Sequence, residues 1–113
     1  MAKHRCTCPA DQTLELISGR WKVPILWELF QAKRRFSELR RLLGDACGQK
    51  MLTQQLREME RNGLVERKVF AQVPPRVEYS LTNLGVSLRP VVDAMCRWGE
   101  QNGAQTVAQK VLA

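Results

Sequence analysis

Hydrophobic positions change period several times along the chain, and each change marks an element. Leu52, Leu56 and Met59 recur at i, i+4 and i+7, the spacing of one helix face, while Lys50, Gln54, Arg57 and Arg61 repeat on the opposite face. One face packs; the other is long, polar and cationic. Gly63, just past the last periodic residue, is a left-handed terminator, and Asn62 before it weakens the helix further. The period then shortens. LVERKVF and VEYSL are β-favouring runs joined by AQVPPR, a turn stiffened by two prolines. The spacing predicts a helix followed by a two-stranded hairpin.

Upstream, Asp11 is a candidate cap for a short helix carrying Leu14, Leu16 and Ile17, and Ser18-Gly19 ends it. A second helix is expected from Trp21 to Phe30, with Pro24 in its first turn and Ile25, Leu26, Leu29 and Phe30 directed to the core. Phe36 is a candidate third strand beside the hairpin. Ser37 is expected to cap SELRRLL, whose Leu39, Leu42 and Leu43 face inward while Arg40 and Arg41 stay in water. GDACG is the turn into the cationic helix.

Downstream, Thr82 is a natural cap for TNLGVSL, and Pro90 should kink or restart the helix. The segment that follows sets Val91, Met95 and Trp98 on one stripe, with Leu88 and Val92 at its edge. In a chain with so small a core, such a stripe favours contact with a second subunit.

These elements describe an α+β, mainly α fold: a winged helix-turn-helix with a two-stranded β-hairpin wing and terminal dimerisation helices. The expected organisation is a flexible segment over 1–10, the domain over 11–102, and a tail over 103–113. At 113 residues the chain is long enough for one modest core.

Charge sharpens the picture. The net charge is +7, and residues 33–76 hold 11 Lys/Arg against 5 Asp/Glu, a local +6. Lys, Arg and Gln on a free helix face are the groups that read base edges, and a concentrated cationic patch suits phosphates. A charged face opposite an apolar stripe is also what any surface helix shows. The concentration of charge is what favours nucleic acid.

Other classes fall away. No apolar run is long enough to span a bilayer, and MAKHRCTCPA lacks the apolar core of a signal peptide, so a cytoplasmic protein with reduced cysteines is expected. There is no Gly-rich phosphate loop and no G-x-S-x-G, and His4 is the only histidine, so neither an enzyme nor a cofactor is expected. His4, Cys6 and Cys8 could gather round a metal, but the second ligand pair of a structural zinc site is missing.

Several segments together resemble the HxlR-type regulators, a bacterial branch related to the MarR-like winged-helix transcription factors. They are CPADQTLELISGRWKVPILWEL, RRFSELRRLL, QKMLTQQLREMERNGLV and VPPRVEYSLTNLG, followed by the pair Trp98-Gly99. The resemblance implies a homodimer on an inverted-repeat DNA operator that controls transcription, as a repressor. It implies that Gln49, Lys50, Met51, Thr53, Gln54 and Arg57 face the major groove, with Arg61 extending the same cationic face. Arg76 would approach phosphates or the minor groove, and Val91, Met95 and Trp98 would lie at the dimer interface. Gly48 departs from the serine common in the family before the recognition helix; glycine is a tolerable cap there.

Some members of that family resemble thiol sensors, and Cys8 matches a position where many have cysteine. Cys8 sits near the start of a helix, among Lys3, His4 and Arg5, and helix dipole and cations both favour the reactive thiolate. The competing reading is a small apolar filler. Cys96, next to Met95, reads as filler, and Cys47 in the turn is unassigned. Trp21, Trp27 and Trp98 are alternatively the walls of a pocket for a planar effector, or simply core. A winged-helix domain serving protein contacts is the remaining alternative.

Overall fold

A computed structural model of the chain describes residues 8–103. The elements, in order, are α1 (Pro9–Ile17), α2 (Lys22–Gln31), β1 (Arg34–Arg35), α3 (Phe36–Leu43), α4 (Gln49–Arg61), β2 (Val65–Phe70), β3 (Arg76–Leu81), α5 (Asn83–Val86) and α6 (Arg89–Trp98). A π-helical turn, Gly99–Gly103, follows α6.

The core forms where the predicted stripes meet. Ile25 and Leu26 of α2, Leu39 of α3 and Leu52, Leu56 and Met59 of α4 are all buried, joined by Leu64, Val65 and Val92. Each such side chain contributes about 1.5–3 kcal/mol through removal from water. α3 and α4, joined by the turn at 44–48, make the helix-turn-helix; β2 and β3 make the wing. The sheet has order β1-β3-β2, all antiparallel. Val65 pairs with Leu81 and Phe70 with Arg76, so the hairpin is in register along its length.

The third strand exists, but as Arg34–Arg35 against Tyr79 and Glu78 rather than at Phe36. Phe36 begins α3 instead, because the Arg35 backbone N–H donates to the Glu38 carboxylate at 2.8 Å and starts the helix ahead of Ser37. In the same way α1 begins at Pro9, with Asp11 in its first turn rather than as its cap. Leu42, expected inward, is exposed, as is Leu14 of the α1 stripe; short helices with a wide apolar stripe can seat only part of it on one core. Arg40, expected in water, is half-buried with its Nε enclosed.

Three expected joints are present. Gly63 adopts φ +79° after α4, the left-handed conformation that ends the helix. Thr82 caps α5, its hydroxyl accepting the Gly85 N–H at 3.0 Å while donating to the Gly63 carbonyl. Pro90 restarts the chain as α6. On α6 the buried residues are Leu88 just ahead of it and Val92, while Val91, Met95 and Trp98 stay exposed. Among the described residues no helix is long and apolar enough to cross a membrane.

Candidate nucleic-acid interface

α4 owes its orientation to the Leu52, Leu56 and Met59 stripe, which turns the opposite face outward. There Gln49, Lys50, Thr53, Gln54, Arg57 and Arg61 border one shallow surface depression of about 720 Å³, together with Glu58. Six of the eight DNA-facing residues expected from sequence thus share one surface. Thr53 turns its hydroxyl back to the Gln49 carbonyl at 2.8 Å, which leaves its methyl group to the surface. Met51 is exposed but lies beside Gln55, whose amide reaches its sulfur at 3.5 Å, and does not border this depression.

Arg76 stands apart, on the hairpin. Its guanidinium lies 4.2 Å from the centre of the Phe70 ring, and the Lys68 ammonium lies 5.2 Å from the same ring. Glu78 is 3.5 Å from the Arg76 Nε. Phe70 therefore gathers two cations at the loop end of the hairpin, where it pairs with Arg76, whereas Val73 within the loop is uncharged and fully exposed.

Between α4 and the sheet runs a second cleft, of about 500 Å³, bordered by Gln49, Thr53 and Arg57 from the helix and by Arg67 and Tyr79 from the strands. Arg67 was missed in the sequence. The period-2 pattern carries the signal: Arg67 alternates with Glu66 and Lys68 and shares the face of Val65, the face turned toward α4. Each side of this cleft carries an arginine, with Glu60 beside Arg57 on the helix side, and Arg57 belongs to both surfaces.

The acid on the α4 face is restrained. Glu58 accepts from the Lys22 ammonium at 2.7 Å, and that hydrogen bond and charge hold its carboxyl below the usual carboxylate range, with Gln54 and Arg61 pulling the same way. Lys22 is the buried charged residue among the described residues.

The cysteines differ sharply. Cys8 is exposed at the N-cap of α1. Cys47 is fully buried in the core, and burial pushes its thiol up in spite of Arg40 and Arg20 nearby. Cys96 is half-buried in a cavity of about 430 Å³ with Trp21, Val23, Trp27, Glu28 and Leu42 around it. Trp98 does not border that cavity; it projects from the far end of α6 and is 61% exposed. Lys3, His4, Arg5 and Cys6 lie outside the described residues, and with them the cationic setting expected for Cys8 and the conceivable metal cluster.

A family model described as HxlR-like helix-turn-helix matches residues 16–107. The HTH-type transcriptional regulator YdeP of Bacillus subtilis is 50% identical over 94 residues, covering 83% of this chain and 73% of that protein. Among solved structures, the redox regulator HypR in its oxidized form is similar with a TM-score of 0.78 at 48% identity, covering 84% of this chain and 97% of that one. Diamide-treated YodB from B. subtilis is similar with a TM-score of 0.72 at 33% identity, covering 87% and 97%.

Proposed function

The chain belongs to the HxlR-like helix-turn-helix family of transcriptional regulators, and from that premise we propose that it is a cytoplasmic repressor that binds an inverted-repeat DNA operator as a homodimer. The observation that carries the reading is the cationic face of α4 opposite its buried stripe, continued by Arg67 and Arg76 on the hairpin. A major groove admits one helix, whose Gln and Arg side chains read base edges while flanking cations neutralise phosphates. Two such helices, one per subunit, read the two halves of a palindrome.

The exposed Val91, Met95 and Trp98 supply the apolar surface for the dimer contact. We assign the switch to Cys8, an exposed thiol at the start of α1; the similarity to HypR, a redox regulator, and to YodB in a diamide-treated form supports it. A disulfide between Cys8 and Cys47 or Cys96 of a second subunit, formed as diamide or a quinone takes up the two electrons and two protons that the thiols release, would shift the spacing of the two α4 helices. Of the candidate partner thiols, Cys96 is the more accessible, because Cys47 is fully buried.

Fluorescence anisotropy on the intergenic duplex beside its own gene and on random duplex, with dithiothreitol and then diamide, tests the reading. Preference for the intergenic duplex, lost under diamide and restored by dithiothreitol, is the expected result, and Cys8→Ser should be indifferent to diamide. A shallow salt dependence, with no preference for either duplex, would instead favour a protein-contact module. A second reading of the signal rests on the Trp21–Trp27 cavity, which suits a planar effector. Specific binding indifferent to diamide, or quenching of tryptophan fluorescence by a planar ligand that releases DNA, would favour it, whereas diamide sensitivity retained in Cys8→Ser would move the switch to another thiol.

A further inference from the structure

Lys22 opens α2 and lies well outside the helix-turn-helix, yet its side chain reaches α4. Its Nζ donates to the Gln55 Oε1 at 2.9 Å and to the Glu58 Oε1 at 2.7 Å. The Gln55 amide in turn meets the Met51 sulfur at 3.5 Å, so the contacts extend over two turns of α4. The Lys22 side chain is 9% exposed and that of Glu58 34%. An apolar residue at this position would bury its stem as well without the cost of withdrawing an ammonium from water, and partly buried pairs of this kind are weak sources of stability. What the pair supplies is direction.

Glu58 stands on the same surface as Gln54, Arg57 and Arg61. An unmatched carboxylate there would repel phosphates and compete with DNA for the neighbouring arginines. Bound by Lys22, it is partly neutralised and drawn toward α2. The apolar stripe of α4 keeps the helix on the core, but a stripe tolerates small rotations, whereas two hydrogen bonds to one ammonium do not.

We propose that Lys22 is a positioning residue for sequence readout: through Gln55 and Glu58 it fixes the rotation of α4 about its axis, so that Gln54 and Arg57 meet base edges in one register. This rests on the DNA-binding reading above. Lys22 itself touches no DNA.

The test begins with a duplex that the wild-type protein selects from a random-sequence pool, compared with the unselected pool, at one salt concentration well below the melting temperature. In Lys22→Met the ratio of selected to unselected affinity should fall about tenfold, the worth of one good base contact, while Lys22→Arg keeps it. A merely structural role predicts a lower melting temperature with the ratio unchanged, and that result overturns the proposal. Glu58→Gln covers the case in which Lys22→Met does not fold. It should strengthen binding to the unselected pool while lowering the ratio, and an equal gain on both duplex sets would make Glu58 a simple charge and overturn the proposal. Failure of the wild type to select any duplex would overturn the DNA-binding reading together with this one.

Discussion

Gly85 lies so close to the Leu64 carbonyl that a β-carbon there would collide with it, and would also press on Leu81. The contact is where the cap of α5 meets the start of the hairpin, since the Thr82 N–H donates to that same Leu64 carbonyl at 3.0 Å. Gly85→Ala must therefore push the strand or the helix aside. A loss of about 1–3 kcal/mol is expected, the usual cost of overpacking. Urea denaturation with an unchanged m-value would register it; a loss below about 0.5 kcal/mol would show that the joint yields.

Acid should weaken the contact between α2 and α4. Lys22 holds the Glu58 carboxyl below its ordinary range, so the unfolded chain takes up the proton at higher pH than the folded one. The contribution is full above the unfolded value of about 4.3 and is lost as pH falls through the depressed folded value. In Glu58→Gln, the melting temperature should decline less between about pH 6 and about pH 3 than in the wild type.

The two arginines of the helix–sheet cleft should separate by role. Arg57→Ala is expected to cost about 1–3 kcal/mol on the operator and much less on random duplex, as a base contact would. For Arg67→Ala, on the strand side, an equal loss on both duplexes is expected, with a salt slope shallower by about one. Exchange of these patterns in a salt titration would reverse the assignments.

Thiol labelling should divide the cysteines by burial. With a maleimide at neutral pH, Cys8 is expected to react in the folded protein, whereas Cys47 follows unfolding, because it is enclosed and burial holds its thiol in the protonated form. Peptide mapping after short exposure reads the difference. Prompt modification of Cys47 would mean that the turn before α4 opens freely.

Met95 and Trp98 provide the test of assembly. Replacing both by serine removes apolar surface that is exposed in the single chain, so it should leave folding nearly unchanged while sedimentation shifts from dimer to monomer. A variant that remains dimeric would move the interface elsewhere, and the exposed Leu14 on α1 is the next surface to test.

The sequence was most legible where one periodicity served one core. Leu52, Leu56 and Met59 announce α4 and its orientation, and Gly63 and Thr82 mark the joints by chemistry that few other residues supply. Helix starts were less legible. Ser37 looks like a cap, but Glu38 accepts the Arg35 N–H, and an acceptor three residues into a helix decides the boundary as strongly as the cap itself. The inward face of α3 was overestimated, because the burial of Leu42 depends on which neighbours arrive from elsewhere in the chain. Arg67 and Lys22 were hidden for a related reason. Each meets its neighbour only in the fold, Arg67 facing Arg57 across a cleft and Lys22 pairing with Glu58 between α2 and α4.

Because β3 is central, the sheet order β1-β3-β2 leaves β2 at an edge whose unpaired amides face outward. An open edge invites another strand to add to it, and charges projecting from it oppose that addition. Glu66, Arg67 and Lys68 are exposed along this strand. The cations proposed to hold DNA thus also guard the protein against assembling into stacked sheets, so the same substitutions that test DNA binding on the hairpin should also lower its colloidal stability.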